Sequence, residues 1–115
     1  MPAKTNVGYI GLGNIGKPCA ERLITEDFVA RVYDVYQPAV DELAEKGARA
    51  CGSVAELSQA CAHIGICVRD DQQVEELLYG EGGILANAAR DSIVAIHSTV
   101  TQASLLKWAE EAAKQ

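Results

Sequence analysis

Gly11-Leu12-Gly13-Asn14-Ile15-Gly16 is the stretch of sequence that decides the fold. The apolar run Asn6 to Ile10 directly before it is typical of a short strand. A helical pattern follows from about Asn14 to Glu26, and its predicted apolar face consists of Ile15, Cys19 and Leu23 at four-residue spacing. A strand, a turn with glycines at its first, third and sixth positions, and a helix together predict a site for the pyrophosphate of a dinucleotide.

Each glycine of this turn has its own predicted role. Gly11 permits the tight turn, Gly13 lets the backbone approach the pyrophosphate, and Gly16 lets the helix pack closely on the strand. The helix N-terminus adds N–H groups and a positive dipole end for the phosphates. We therefore expect the whole turn to bind cofactor, including the intervening Leu12, Asn14 and Ile15. The alternative is a glycine-rich turn that serves packing alone.

Asp34 follows the second predicted strand, Val29 to Tyr33, and lies 18 positions beyond Gly16. A carboxylate at this place can accept hydrogen bonds from the adenosine ribose hydroxyls and repels a 2′-phosphate, which favours NAD over NADP. No basic residue follows in the next three positions, although Arg31 keeps NADP possible. The alternative is a solvated turn aspartate, because turns favour this residue in any case.

Strands and helices continue to alternate to the end of the chain. We expect a helix from Pro38 to Gly47, a short strand from Ala48 to Cys51, a helix opened by Ser53, a strand from Ile64 to Val68, a helix from Asp70 or Asp71 to Gly80, a strand from Ser92 to His97, and a helix capped by Thr101 with an apolar face of Leu105, Trp108, Ala109 and Ala112. Strands separated by helices favour a parallel sheet with right-handed crossovers. The predicted fold is therefore a doubly wound, Rossmann-type α/β sheet that occupies residues 1–115 as one domain.

The bulk composition excludes several classes of partner. The net charge of −6 comes without a basic stripe, so we expect no nucleic-acid partner. No apolar run is long enough to span a membrane, and the first five residues lead straight into a strand with no signal-peptide pattern. These features predict a cytoplasmic protein without a membrane partner.

The cysteines predict no metal site. Cys19, Cys51, Cys61 and Cys67 contain no CxxC pair, and with His63 they match no zinc-binding spacing. We expect them to be reduced, small apolar residues.

The residues Val7 to Pro18 resemble the opening of the β-hydroxyacid dehydrogenases, which include 3-hydroxyisobutyrate dehydrogenase, 6-phosphogluconate dehydrogenase and the imine reductases. Tyr33-Asp34-Val35 is similar to the branch that uses NAD. The resemblance continues through residues 68–71, 80–83 and 98–100, so it covers nearly the whole chain.

The resemblance implies further site residues. Val68, Arg69 and Gln73 would flank the two riboses beyond the fourth strand. Ser98 and Thr99 would bind substrate beyond the fifth strand, and Thr99 would also contact the nicotinamide. Helix capping is the alternative for both residues. His97 could relay a proton, or it could be a hydrogen-bonded histidine at a strand end.

The implied activity is hydride transfer between NAD and a small β-hydroxy acid such as 3-hydroxyisobutyrate, in a protein that we expect to be a homo-oligomer. The family's catalytic lysine and its helical second domain would lie beyond Gln115, so the resemblance places no catalytic residue in this chain. We therefore expect a cofactor domain that is inactive alone. The alternatives are an NAD-sensing regulatory module and the cofactor domain of an imine or other reductase.

Overall fold

The protein folds as a five-stranded parallel sheet flanked by helices, in a computed structural model that describes residues 5–98 and 100–114. The strands are β1 (Thr5–Ile10), β2 (Phe28–Tyr33), β3 (Arg49–Ala50), β4 (His63–Ile66) and β5 (Ile93–Ile96). The helices are α1 (Gly16–Glu21), α2 (Gln37–Glu45), α3 (Val54–Ala60), α4 (Asp71–Leu78), α5 (Ile84–Asn87) and α6 (Gln102–Ala113).

The sheet order is β3-β2-β1-β4-β5, which confirms the predicted doubly wound topology. The chain moves outward from β1 to β3 and then crosses back to β4, on the other side of β1. The order of the strands therefore reverses between β1 and β4. Ligands of open α/β sheets bind outside the carboxyl ends of the strands at such a point.

The sheet carries a separate apolar core on each face. One core packs α1 and α2 against the sheet, and its buried residues include Ala20, Val40 and Leu43. The other core packs α3 to α6 against the opposite face, and its buried residues include Leu57, Val74, Leu78, Ile84 and Trp108. Both faces are covered around β1, as a parallel strand requires.

Four strands end at the same level. In the pairing register Ile10 is opposite both Tyr33 and Ile66, and Ile66 is opposite Ile96. One more backbone hydrogen bond joins each pair of neighbouring strands beyond these residues. The N–H groups of Gly11, Cys67 and His97 donate to the carbonyl oxygens of Tyr33, Ile10 and Ile66, respectively. The first residues beyond the four strands therefore form a row along one edge, in the order Asp34, Gly11, Cys67 and His97.

Helix α1 is shorter than predicted. It covers Gly16–Glu21 instead of residues 14–26, because the N–H groups of Arg22, Leu23 and Ile24 bond three residues back instead of four. Such tightened bonds end an α-helix. Ile15 was predicted to be part of the apolar face, but it precedes the helix and is 69% exposed.

The predicted apolar face of α6 was also wrong. Of its four residues only Trp108 is buried, at 3% exposure, whereas Leu105 is 47% exposed. The helix contacts α4 through Trp108, whose indole N–H donates to Glu75 Oε1 at 3.2 Å. Helix α5 was not predicted, and the remaining boundaries agree with the prediction or differ from it by at most two residues.

We predict that Leu57→Ala lowers the free energy of unfolding by about 2–5 kcal/mol, because Leu57 is fully buried and lies against Gly8 of β1. Urea denaturation followed by circular dichroism measures the change. Leu106→Ala removes the same atoms from a side chain that is 59% exposed, so it should change stability by less than about 0.5 kcal/mol. Equal effects of the two variants would contradict this placement of the core.

Candidate functional site

A cleft of about 560 Å³ opens at the carboxyl edge of the sheet, where the strand order reverses. Its walls are the glycine turn, the segment after β2, the segment after β4 and one face of α4. The lining residues are Ile10, Gly11, Gly13, Asn14, Ile15, Gly16, Tyr33, Asp34, Val35, Cys67, Val68, Arg69, Gln73, Glu76 and Leu77. A volume of this size suits a small-molecule ligand or a cofactor.

The three glycines of the turn face different surroundings. Gly11 has a φ of +97°, and a Cβ on it would overlap the carbonyl oxygen of Cys67. A Cβ on Gly16 would overlap the carbonyl oxygen of Gly11. By contrast, a Cβ on Gly13 would meet nothing within 4 Å, because this residue faces the open cleft. Packing therefore explains Gly11 and Gly16 but leaves Gly13 unexplained.

Asp34 ties the end of β2 to the glycine turn. The backbone N–H of Leu12 donates to its Oδ2 at 2.6 Å, and the N–H of Tyr36 donates to its Oδ1 at 2.9 Å. Each carboxylate oxygen can accept a further hydrogen bond, and the side chain lines the cleft. Arg31 lies elsewhere, with its Nε–H donating to Asn6 Oδ1 at 3.0 Å.

The segment after β4 is held by side-chain caps. Asp70 Oδ1 accepts from the N–H of Gln73, and Gln73 Oε1 accepts from the N–H of Arg69, so the two side chains form a reciprocal cap at the start of α4. The N–H of Val68 donates to Ser98 Oγ at 2.8 Å. Ser98 therefore joins the end of β5 to the rim of the cleft.

The structure brings most of the predicted cofactor residues together. Nine of them line the cleft: Gly11, Gly13, Asn14, Ile15, Gly16, Asp34, Val68, Arg69 and Gln73. Leu12 is buried behind the turn and contributes its N–H to Asp34, and Ser98 is not part of the lining. Thr99, predicted to contact cofactor and substrate, lies outside the described residues.

Sequence reasoning missed the other lining residues, of which Tyr33, Cys67 and Glu76 carry polar side-chain atoms. Glu76 and Leu77 lie three and four residues after Gln73 on α4, so helical spacing could have placed them on the same face. The apolar pattern of residues 64–68 predicts Cys67 within the fourth strand. It is instead the first residue after β4, at the level of Gly11.

The described residues contain neither a metal site nor a helix that could span a membrane. Within residues 5–98 and 100–114, no group of three or more histidine, cysteine or acidic side chains is placed to hold a metal ion. Burial raises the pKa of the Cys61 thiol to about 11, which keeps that side chain protonated and apolar in character. None of the helices described is long and apolar enough to cross a membrane.

The cleft fits the adenosine and pyrophosphate of a dinucleotide. Among the described residues, none accepts a hydrogen bond from the N–H groups of Gly13, Asn14 or Ile15, and these groups are therefore free to bind phosphate oxygens. The open space at Gly13 would accommodate the pyrophosphate, and the Asp34 carboxylate at the neighbouring strand end would offer acceptors to ribose hydroxyls.

Comparison with known proteins agrees with this geometry. The family model for the NAD-binding domain of 6-phosphogluconate dehydrogenase matches residues 6–115. An uncharacterized oxidoreductase of Mycobacterium tuberculosis is 38% identical over 96% of this chain and 37% of its own length. The mitochondrial 3-hydroxyisobutyrate dehydrogenase of Mus musculus is 31% identical over 99% of this chain and 34% of its own length.

The fold also matches that of a solved structure. The crystal structure of 3-hydroxyisobutyrate dehydrogenase from Salmonella typhimurium superposes with a TM-score of 0.88 at 24% identity, covering 96% of this chain and 39% of that one. The chain thus spans somewhat more than a third of the length of the proteins to which it is similar.

We predict that Gly13→Val leaves the stability of the fold within about 0.5 kcal/mol and weakens NAD binding by more than about tenfold. The added side chain would point into open space that the pyrophosphate needs. Isothermal titration calorimetry measures the affinity, and thermal denaturation measures the stability.

Gly16→Val is the matched variant. It should lose about 1–3 kcal/mol of stability, because its Cβ would overlap the carbonyl oxygen of Gly11. If Gly13→Val binds NAD as the unmodified chain does, the turn is a packing feature alone.

Proposed function

We propose that this chain, which belongs to the family of NAD-binding domains of the 6-phosphogluconate dehydrogenase type, positions NAD for hydride transfer to and from a small β-hydroxy acid such as 3-hydroxyisobutyrate. The observation that carries the proposal is Asp34, whose carboxylate lies at the end of β2 and is bonded to the glycine turn. Similarity to dehydrogenases of hydroxy acids supports the substrate class.

The contacts of Asp34 favour NAD over NADP. Its carboxylate lines the cleft where the adenosine ribose would lie, so a 2′-phosphate would face a negative charge. Arg31, the basic residue that kept NADP open, donates to Asn6 instead of lining the cleft. Arg69 lines the cleft, but on the segment beyond β4, two strands away from Asp34.

The proposed reaction needs a base in addition to the cofactor. When bound, NAD accepts a hydride from the carbinol carbon, while the hydroxyl proton leaves to a general base. Among the described residues that line the cleft there is no lysine. Lys17 pairs with Glu42 at 2.7 Å, and Lys107 lies over the ring of Tyr79 on the outer helix layer. The chain's own part is therefore to bind and orient the cofactor.

We predict that Asp34→Asn lowers the ratio of the NAD affinity to the NADP affinity by about five- to a hundredfold. This change corresponds to the loss of about 1–3 kcal/mol of repulsion between the carboxylate and the 2′-phosphate. The amide keeps the shape of the side chain, removes its charge and replaces one of the two acceptor oxygens by a donor, so the ratio of the two affinities is the readout. Titration of both cofactors into the two proteins measures the ratio of affinities. Asp27→Asn is the control, since that exposed aspartate precedes β2 at the opposite edge of the sheet. An unmodified chain without preference for NAD would refute the assignment.

We further predict that the 115-residue chain binds NAD but oxidises no β-hydroxy acid above the background rate. Catalysis requires the hydride acceptor, the carbinol and a base to be held together, and the described residues of the cleft include no lysine that could act as the base. The formation of NADH is followed by absorbance over a panel of β-hydroxy acids, with calorimetry to show that the same preparation binds NAD. Turnover by this chain would mean that it contains the base after all.

A further inference from the structure

His97 is held in place by a hydrogen bond that spans three strands. The hydroxyl of Tyr9 lies 2.8 Å from His97 Nδ1, although the two residues are 88 positions apart in the sequence. Tyr9 is on β1 and only 3% exposed, whereas His97 directly follows β5 and is exposed. Strand β4 lies between them, so the tyrosine ring must cross it.

Gly65 of β4 provides the crossing point. It is paired with Tyr9 in the sheet, and a Cβ on it would lie 2.7 Å from Cε2 of the tyrosine ring. The ring therefore occupies the place of a side chain on β4 and carries its hydroxyl to β5. Any larger residue at position 65 would displace it, so two strands, β1 and β4, contribute one residue each to the placement of His97.

The same contact decides which ring nitrogen of His97 holds the proton. Burial, together with the nearby thiols of Cys19 and Cys67, raises the pKa of the Tyr9 phenol above its usual range, so the phenol stays protonated. Thiols are weak acceptors, and we therefore assign the imidazole Nδ1 as the acceptor of the Tyr9 O–H. A neutral imidazole with an unprotonated Nδ1 keeps its hydrogen on Nε2. In the described part of the chain no residue accepts from that Nε2–H.

His97 occupies the end of the row that begins with Asp34. Both residues come directly after a strand that ends at the same level, and between them lie Gly11 and Cys67. Neighbouring strands are spaced by about 4.8 Å, so the ends of β2 and β5 are about 14 Å apart. With the adenosine ribose at Asp34 and the pyrophosphate over the glycine turn, an extended dinucleotide would continue past Cys67 toward β5, where His97 lines a smaller groove with Tyr9 and Gly65.

We propose that His97 is the residue that recognises the nicotinamide end of the cofactor, by donating its Nε2–H to the carbonyl oxygen of the carboxamide, and that Tyr9 is the residue that positions it. The proposal rests on the proposed function, since it requires NAD in the cleft. A neutral imidazole is chemically suited to this place, because it adds no positive charge beside the cationic ring of oxidised NAD.

Comparison of NAD with ADP-ribose tests the proposal without any enzymatic turnover. The two ligands share the adenosine, the pyrophosphate and the second ribose, and only NAD has the nicotinamide. In His97→Phe, which keeps a flat ring without the donor, we expect the ratio of the NAD affinity to the ADP-ribose affinity to fall by about three- to tenfold. Calorimetric titration measures both affinities on the same preparation.

Two further variants separate positioning from general damage. Tyr9→Phe keeps the ring over Gly65 and removes only the hydroxyl, so the ratio should fall in the same direction while the affinity for ADP-ribose stays unchanged. His63→Phe is the control, because His63 is the other histidine of the chain and starts β4 at the opposite edge of the sheet. That variant should leave the ratio unchanged.

The possible failures are distinguishable. If His97→Phe weakens both ligands equally, or neither, His97 does not recognise the nicotinamide and the inference is wrong. If the unmodified chain binds neither NAD nor ADP-ribose, the proposed function itself is wrong. Should Tyr9→Phe fail to fold, the comparison of His97→Phe with His63→Phe still decides the matter.

Discussion

The site depends on the close approach of the glycine turn to the residue that follows β4. The carbonyl oxygen of Cys67 lies where a side chain on Gly11 would be, and the carbonyl oxygen of Gly11 lies where a side chain on Gly16 would be. Two backbone segments can pack this closely only without Cβ atoms between them. The start of α1 is thereby fixed against the segment after β4, and Gly13, Asn14 and Ile15 of the turn line the cleft.

The register of the sheet extends this local constraint to the whole edge. Because β1, β2, β4 and β5 end at one level, residues from four separate parts of the sequence form a single row. Three of these residues bear side chains, and each side chain is held by different contacts. Backbone N–H groups hold Asp34, packing in the core beneath α1 and α2 holds Cys67, and Tyr9 holds His97. The rigid sheet supplies spacing, and the local contacts supply orientation.

The sequence was sufficient for features whose signals are local. The glycine turn, the alternation of strands and helices, Asp34 at the end of β2 and the Asp70 cap of α4 all follow from neighbouring residues. Features that depend on distant partners were not predictable in this way. The Tyr9–His97 bond joins residues 88 positions apart, and the Ser98–Val68 bond joins residues 30 apart. The apolar pattern of α6 likewise gave no sign that only Trp108 would be buried.

The wrong prediction for Ile15 shows how a binding site departs from simple patterning. Four-residue spacing placed Ile15 with Cys19 and Leu23, but the helix starts only at Gly16, so Ile15 belongs to the turn and lines the cleft. A large apolar side chain that is 69% exposed gains nothing from folding alone. Its exposure is physically reasonable if the ring of a bound ligand covers it, since Ile15 lines the cleft together with Gly13 and Val68. Periodicity identifies which residues are apolar, whereas the fold determines whether protein or ligand buries them.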